Sequence, residues 1–286
     1  MDKGIRTVSA NGLKLPALGQ GTWYMGDERR KEESEIAALR LGLELGLHLI
    51  DTAEMYGEGR SEILIGKAIN GLKRDRFFLT SKVYPYNAGK RNIFASCDNS
   101  LKRLGTDYLD LYLLHWRGSV PLSETVECME ALVKTEKIRR WGVPNFDIAD
   151  MEELWRVPNG SNCAVNQVLY NLGSRGIEYD LIPWLRAHNV AAMAYCPLAQ
   201  AGSLRRKLLS DPTLLAIAKK YGIGIMQLLL VFLLRQENVI AIPKSGSPQH
   251  VRDNAQALEI SISIEDWNMV DQAFPPPSGK MQLDMV

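Results

Sequence analysis

The sequence lacks a large net charge, a long apolar run and a dense set of cysteines. Among its 286 residues, 34 Lys and Arg against 33 Asp and Glu leave a formal net charge of +1. That balance provides no overall positive field for DNA, RNA or an anionic membrane. The most apolar stretch, residues 228–234, is far shorter than the roughly 20 residues that span a bilayer. We therefore expect no nucleic-acid partner and no membrane partner.

The scarcity of cysteine excludes several kinds of site. The chain has four cysteines and four histidines, with no CxxC pair and no cluster of the two residue types. A zinc site and a disulfide framework are therefore not expected, and no bound metal is predicted. The scattered thiols and the lack of an apolar signal segment in residues 1–10 favour a reducing, cytoplasmic location with free, mostly structural cysteines. The cysteines are Cys97, Cys128, Cys163 and Cys196.

Two common nucleotide-binding motifs are missing as well. No GxGxxG segment follows a strand-like run, and no GxxxxGK[ST] segment occurs. The sequence therefore does not support a Rossmann site or a P-loop site for a nucleotide.

Strand-like and helix-like segments alternate along the chain. Asn11-Gly12, between the apolar runs 5–8 and 13–15, predicts a β-hairpin. Eight strand-like segments then follow in roughly 250 residues, which predicts an α/β fold, a (β/α)8 TIM barrel, rather than an open sheet. No linker divides residues 1–286, so we expect a single domain. The strands are expected to end near Gln20, Asp51, Lys82, His115, Val143, Gln167, Tyr195 and Ile242.

The helical patterns differ in clarity. Residues 248–258 and 265–273 predict extra C-terminal helices, and residues 177–188 predict a helix with Pro183 near its start or at a kink. Residues 202–210 and the tail after Pro275 show no pattern that we can interpret.

Three strand-like segments finish on Asp51, Lys82 and His115. The reactive face of such a barrel lies at the carboxyl ends of its strands, so these side chains should converge, and Tyr56 on the next loop can reach them. Asp51 would keep Lys82 charged, and that cation would lower the pKa of Tyr56 from about 10. A tyrosine tuned in this way is a competent general acid, which His115 would assist by orienting the substrate. Taken singly, Asp51 is typical of a helix cap, Lys82 of a solvated side chain and His115 of a buried core residue. The combination of the four residues favours catalysis.

A second candidate site follows the last predicted strand. Ser247 and Pro248 have the pattern of an N-cap and a first helical residue, and a helix N-terminus accepts phosphate. Lys244 and Ser245 add a charge and a hydroxyl donor. An ordinary capped helix explains the pattern equally well, and Tyr195 fits either a face for a cofactor ring or a packing aromatic.

These residues lie in segments that resemble the aldo-keto reductase family. The segments occur in the family's order and cover essentially the whole chain, so the set is specific although each segment alone is weak. Three others, GTWYMG, GSRGIEYDLIPW and the final LDMV, are similar to a bacterial branch that includes methylglyoxal-type aldehyde reductases. The family segments are DTAEMYG, the strand ending at Lys82, LDLYLLH, GVPNF, NQVLYN, AYCPLAQ and IPKSGS.

The resemblance implies reduction of aldehydes or ketones to alcohols with NADPH, NADH being an alternative, on a barrel without a Rossmann domain. Asp51, Tyr56, Lys82 and His115 would form the catalytic tetrad, with Tyr56 protonating the carbonyl oxygen as the nicotinamide C4 hydride reaches the carbonyl carbon. The substrates would be small carbonyls, with methylglyoxal and related α-oxoaldehydes as the expected class. A monomer is favoured. The implied substrate-pocket residues are Trp23, Tyr84 and Trp116.

The resemblance also assigns cofactor contacts. One group would hold the nicotinamide, through Asn145, Gln167 and Tyr195, and the segment from Cys196 to Leu198 would run beside the pyrophosphate. Further residues would meet the 2′-phosphate and the adenine. The implied cofactor contacts are Gly21, Thr22, Asn145, Gln167, Tyr195, Cys196, Pro197, Leu198, Lys244, Ser245, Ser247, His250, Asp253 and Asn254.

Three positions depart from the family pattern. Pro144 replaces a serine whose hydroxyl helps to hold the carboxamide, and Cys196 replaces a serine with a weaker hydrogen-bonding group. His250 stands where an arginine often binds the adenosine phosphate, and a largely neutral histidine cannot make a bidentate phosphate contact. These departures weaken the expected preference for NADPH over NADH.

Two other functions are considered. The first is a barrel that binds NADP(H) as a redox sensor without catalysis; the lack of a long N-terminal extension for a partner argues against it. The second is a Schiff-base aldolase that uses Lys82; the neighbouring Asp51 would keep that amine protonated and so oppose nucleophilic attack.

Overall fold

The computed structural model describes residues Arg6–Met285. It begins with an antiparallel hairpin of β1 (Thr7–Ala10) and β2 (Leu13–Pro16), in the register Val8 opposite Leu15. Asn11 and Gly12 form the turn with φ angles of 42° and 79°, a left-handed conformation that these two residue types tolerate. The predicted hairpin is confirmed in the described residues; Ile5 of the first predicted run, and Val286 of the LDMV segment, lie outside them.

Eight parallel strands follow and form a barrel with the strand order of the chain. The ends of the sheet meet where Ala241 N–H donates to Ala17 O at 2.9 Å and Gly21 N–H donates to Pro243 O at 3.0 Å. A Cβ on Gly21 would lie 2.7 Å from Ile242 O, so only glycine permits this closure. The predicted TIM barrel is confirmed. Its strands are β3 (Gly19–Gly21), β4 (Leu49–Asp51), β5 (Phe78–Val83), β6 (Leu109–Leu114), β7 (Ile138–Pro144), β8 (Val165–Leu169), β9 (Ala191–Tyr195) and β10 (Val239–Ala241).

Helices surround the barrel and cover the outer face of its strands. Their apolar stripes pack on the sheet, as the burial of Leu101 and Leu104 in the third helix and of Met151 and Leu154 in the fifth shows. The helices are α1 (Glu32–Glu44), α2 (Arg60–Ile69), α3 (Ile93–Leu104), α4 (Leu122–Lys134), α5 (Ile148–Arg156), α6 (Leu181–Ala187), α7 (Ser203–Ser210), α8 (Pro212–Tyr221), α9 (Ile225–Leu234), α10 (Pro248–Gln256) and α11 (Ile264–Ala273).

The structure corrects two of the helix predictions. The segment 177–188 is not one helix, because a short 3-10 turn at Gly176–Glu178 precedes α6; Pro183 lies in the first turn of α6, where its missing N–H breaks no bond. Residues 202–210, which showed no interpretable pattern, contain α7. The extra C-terminal helices α10 and α11 are confirmed.

The apolar run 228–234 is the buried part of α9. All seven of its side chains are inside the protein, which accounts for a helix without a polar face. In the part of the chain that the structure describes, no single helix is long and apolar enough to cross a bilayer. The pair α8 and α9 meets that criterion only jointly, across a bend of 89°.

Candidate active site

Four polar side chains meet at the carboxyl ends of three neighbouring strands. Asp51 ends β4, Lys82 is the penultimate residue of β5, His115 directly follows β6, and Tyr56 lies on the loop after β4. The Lys82 Nζ donates to Asp51 Oδ2 at 2.7 Å and to Tyr56 Oη at 3.1 Å. The centroids of the Tyr56 and His115 rings are 5.6 Å apart. The structure therefore brings together the four residues that the sequence analysis grouped.

Lys82 is a buried cation held by its partners. Its side chain is 1% exposed, and the backbone oxygen of Thr52 accepts a third hydrogen bond from Nζ at 2.8 Å. Burial by itself lowers the pKa of Lys82, but the Asp51 carboxylate and the Tyr56 oxygen together raise it above its usual value. The amine is therefore an ammonium at neutral pH, as the sequence analysis expected.

The expected effect of this cation on Tyr56 is wrong in its net direction. The nearby Lys82 does lower the pKa of Tyr56, but burial of the phenol raises it by more, and the Asp51 charge adds to the increase. The pKa of Tyr56 therefore lies above 10.0, the value of a free phenol. Sequence spacing revealed the neighbouring charge, whereas the removal of water from the phenol depends on the assembled pocket. Tyr56 is thus protonated at neutral pH and able to donate a proton.

His115 is a neutral imidazole. Burial lowers its pKa from 6.5 to about 3, and the Lys82 charge contributes to that decrease. Its Nδ1 is buried, and no group in the described residues forms a hydrogen bond to it. A neutral ring beside Tyr56 donates one hydrogen bond without carrying charge, which suits orientation of a carbonyl oxygen.

A cavity of about 640 Å³ opens above these residues. The tetrad members Asp51, Tyr56 and His115 line it, while Lys82 lies beneath the surface of its floor. Aromatic side chains form part of its wall, an arrangement common in sites for small organic molecules. The other predicted site residues that line it are Gly21, Thr22, Trp23, Trp116, Asn145, Gln167, Tyr195, Cys196, Pro197, Leu198 and Lys244.

Comparison with known proteins decides the family. The sequence model of the aldo/keto reductase family matches residues 17–274, which is nearly all of the chain. The chain belongs to the aldo/keto reductase family.

Individual members of the family are similar along almost their full length. The methylglyoxal reductase YeaE of Escherichia coli is 54% identical over 274 residues, which cover 96% of each protein. The glyoxal reductase of Bacillus subtilis is 33% identical over 261 residues, covering 91% of this chain and 90% of that one. A crystal structure of the Klebsiella pneumoniae aldo/keto reductase in complex with NADP and acetate superposes with a TM-score of 0.95, at 54% identity, covering 99% of this chain and 100% of that chain.

In this aldo/keto reductase, two amide side chains and an aromatic ring occupy one end of the cavity. Tyr195 Oη donates to Asn145 Oδ1 at 3.0 Å, which fixes the ring and leaves the Asn145 NH2 group to donate. The Gln167 Nε2 donates to Asp51 Oδ1 at 2.9 Å, so its amide oxygen is the group that a bound carboxamide N–H would meet. One donor, one acceptor and a flat ring on the same wall fit a nicotinamide carboxamide.

The backbone of the reductase turns sharply beside these groups. Asn145, Cys196 and Ala199 have φ angles of 49°, 48° and 56°, in the left-handed region that is unfavourable for cysteine and alanine. Asn171 stabilises the turn after β9, because its Nδ2 donates to Cys196 O at 3.1 Å. The turn directs the segment from Cys196 to Ala201 along the cavity wall.

Several residues assigned to the cofactor or the substrate do not line the cavity. Ser247 does precede α10 as its N-cap, but its side chain makes no capping bond; instead Ser245 Oγ accepts from Ser247 N at 3.3 Å. Tyr84 packs near two lining residues without lining the cavity itself, with its ring centroid 5.7 Å from that of Trp116 and 6.5 Å from that of His115. Those away from the cavity are Tyr84, Ser245, Ser247, His250, Asp253 and Asn254.

Other wall residues were not predicted, because most of them lie on loops, on α7 or in the tail rather than at strand ends. Arg205 lies on α7, and Met285 reaches the cavity from the tail. The four-residue spacing of Leu204 and Leu208 was a signal for α7, but nothing in the sequence placed that helix over the barrel mouth. The unpredicted wall residues are Tyr24, Met55, Ala199, Gln200, Ala201, Arg205, Ile242, Pro243 and Met285; Pro144, noted above as a departure from the family pattern, lines the wall as well.

Glu54 is a further polar residue that the sequence analysis overlooked. Its Oε1 accepts from Tyr84 N at 2.7 Å and from Asn87 Nδ2 at 3.2 Å, which ties the Tyr56 loop to the loop after β5. Burial raises the pKa of Glu54, although these two hydrogen bonds oppose the increase.

Cysteine and metal chemistry are not evident at the site. All four cysteines are free, and burial raises the pKa of Cys97 and Cys163 to about 12 and that of Cys196 in the cavity wall above its usual value. Between Arg6 and Met285, no group of three or more His, Cys, Asp or Glu side chains could hold a metal ion.

Proposed function

We propose that this aldo/keto reductase reduces small aldehydes, α-oxoaldehydes such as methylglyoxal among them, with NADPH, and that Tyr56 donates the proton. The observation that carries the proposal is the buried Lys82 ammonium, which bridges Asp51 and Tyr56 at the floor of an aromatic-walled cavity. The named activities of the E. coli and B. subtilis relatives support the substrate class. NADP in the Klebsiella structure supports the cofactor.

When bound, the nicotinamide of the cofactor supplies a hydride for the carbonyl carbon. The residues that would hold this group are Asn145, Gln167 and Tyr195, whose amide and ring positions fit it as described above. Lys244, on the segment after β10, also lines the cavity and would provide positive charge for the cofactor's phosphates.

Side chains of the tetrad protonate and orient the carbonyl oxygen. Tyr56 Oη carries the proton, because burial keeps the phenol un-ionised, and passes it to that oxygen as negative charge develops there. The Lys82 ammonium, 3.1 Å from Tyr56 Oη, stabilises the phenolate that forms. Neutral His115 donates a hydrogen bond that orients the oxygen.

The aromatic wall favours small, flat carbonyl compounds. The Trp23 and Tyr24 rings stack with their centroids 4.6 Å apart, and the Trp116 ring centroid is 5.0 Å from that of His115. These rings offer apolar contact, while the polar tetrad would contact the carbonyl end of the substrate. Because Trp23, Tyr24, Trp116 and Met285 come from loops and the tail, they set the fit for particular aldehydes.

The decisive test is Tyr56→Phe, which removes the hydroxyl and keeps the ring. The variant should lower kcat for methylglyoxal by about 100-fold or more, the usual scale of general acid catalysis. NADPH binding, followed by quenching of tryptophan fluorescence, should stay within about twofold of the wild type. Tyr84→Phe is the matched control and should retain its activity, since its ring lies outside the cavity. Full activity of Tyr56→Phe would refute the assignment of the proton donor.

A further inference from the structure

Tyr56 lies at the start of a turn with an unfavourable backbone conformation. The three residues that follow it, from Gly57 to Gly59, have φ angles between 56° and 87°. Glycine tolerates this left-handed region, whereas Glu58 is strained there, so the turn needs support from the surrounding fold. The helix α2 begins directly after the turn, and its second and third residues, Ser61 and Glu62, are both fully buried.

Ser61 belongs to a chain of buried hydroxyl groups. Its Oγ accepts from Thr52 Oγ1 at 3.1 Å and donates to Thr22 Oγ1 at 2.8 Å. Thr22 Oγ1 in turn donates to Asp51 O at 2.9 Å. The backbone oxygen of Thr52 is the one that accepts from Lys82 Nζ at 2.8 Å. The chain therefore fixes both residues at the end of β4 against which the Lys82 ammonium is held.

Glu62 makes the corresponding contact with the neighbouring strand. Its Oε1 accepts from Ser81 Oγ at 2.6 Å, and its Oε2 pairs with Arg103 Nε at 2.6 Å. Ser81 directly precedes Lys82 in β5. The Arg103 side chain also covers the turn before α2, since a Cβ on Gly59 would lie 2.6 Å from its Cδ. Glu62 thus connects β5 to that turn.

We propose that Ser61 and Glu62 are positioning residues for the proton transfer from Tyr56. Neither side chain lines the cavity, so both act through the residues next to Asp51 and Lys82 in the chain. Two consecutive residues of one helix hold the ends of β4 and β5, and the same helix follows the Tyr56 turn, so three tetrad groups share one support. A misplacement of about 1 Å can cost about 100-fold in rate. The inference rests on the function proposed above, since this positioning matters only if Tyr56 delivers the proton.

The test of Ser61 removes hydroxyl groups from the chain. Thr52→Val, which keeps the side-chain shape, and Ser61→Ala should each slow hydride transfer by about 10-fold, because the end of β4 loses a link that fixes it. Thr52→Ser keeps the hydroxyl and should stay within about threefold of the wild type. Thr80→Val is the matched control and should retain its rate, since the buried Thr80 hydroxyl has no hydrogen-bond partner among the described residues.

The test of Glu62 is Ser81→Ala. This substitution removes the donor to Glu62 and leaves the ion pair with Arg103 in place, and it should also slow hydride transfer by about 10-fold. The rate is measured in a single turnover, by mixing the enzyme–NADPH complex with saturating methylglyoxal and following the loss of NADPH absorbance. Fluorescence quenching should show unchanged NADPH affinity. A merely structural role would lower Tm without changing the single-turnover rate of the folded enzyme.

Several results would overturn the proposal. Unchanged rates in Ser61→Ala and Thr52→Val would remove the role of Ser61, and an unchanged rate in Ser81→Ala would remove that of Glu62. Equal losses in Thr52→Val and Thr52→Ser, or in Thr80→Val, would assign the effect to packing instead of the hydroxyl chain. A loss explained by weaker NADPH binding would assign it to the cofactor site. A wild type that oxidises no NADPH with methylglyoxal would instead contradict the proposed function, so the two failures are distinguishable.

Discussion

The ion pair between Asp51 and Lys82 allows a quantitative prediction about stability. Both side chains are almost inaccessible, at 3% and 1% exposure, and their charged atoms are 2.7 Å apart. The substitution Asp51→Asn keeps the shape of the side chain but leaves the buried ammonium without a counter-charge. Removing one partner of such a pair costs about 3–5 kcal/mol of unfolding free energy. At roughly 2 °C per kcal/mol for a chain of this size, Tm should fall by about 6–10 °C.

The loss of stability in Asp51→Asn should also depend on pH, in a direction set by the protonation of Lys82. With Asp51 present, the folded-state pKa of Lys82 lies above that of the unfolded chain. The stability from the pair is therefore complete below about pH 10.4 and is lost as pH rises through the higher folded value. Without Asp51, burial dominates and brings the folded-state pKa of Lys82 below the unfolded value. The Asp51→Asn variant then gains stability as pH rises toward about 10.4. The difference in unfolding free energy between the wild type and the variant should therefore narrow between about pH 7 and pH 10.

Urea unfolding of both proteins across that pH range measures the deficit. The control is Asp98→Asn, which removes an exposed partner of Lys137 and should cost no more than about 1 kcal/mol. If Asp51→Asn costs as little as the control, the buried pair does not stabilise the fold as argued. If the deficit is large but constant with pH, the reasoning about the Lys82 pKa is wrong.

Two further predictions concern the chemistry of the tetrad. Because burial lowers the pKa of His115 to about 3, this residue does not titrate between about pH 5 and pH 7, and kcat/KM should stay level over that range. A change in kcat/KM with a midpoint near pH 6.5 that disappears in His115→Asn would contradict a neutral imidazole. Because Asp51 and Tyr56 keep Lys82 protonated, borohydride with methylglyoxal should leave this lysine unmodified in peptide mass spectra; an adduct on Lys82 would support the Schiff-base alternative.

The fold and the tetrad were predictable because both depend on short-range patterns. Apolar runs that end on Asp51, Lys82 and His115 indicate parallel strands, and parallel strands in a barrel bring their carboxyl ends together. The single domain over residues 1–286, the monomer and the weakened preference for NADPH caused by Pro144 and His250 stay predictions.

Local patterns failed where a property depends on elements that meet only in the folded chain. Leu204 and Leu208 have helical spacing, but Gly173, on which Leu204 packs, is distant in sequence, so the place of α7 and of Arg205 had no local signal. The pKa of Tyr56 illustrates the same limit, since the sequence shows a neighbouring charge but not the loss of water that outweighs it. Tyr84 follows a strand and was assigned to the pocket, yet it does not line the cavity, although its ring packs near those of Trp116 and His115, which do.

The sequence by itself determined the barrel and the four tetrad residues that meet at the carboxyl ends of its strands. Strand periodicity and the polar residues at strand ends are encoded within a few neighbouring positions. Tertiary structure alone decided how strongly those groups are desolvated, which rings form the wall, and that an arginine from an outlying helix enters the groove. Desolvation and shape complementarity arise from atoms far apart in the chain, so only the assembled protein expresses them.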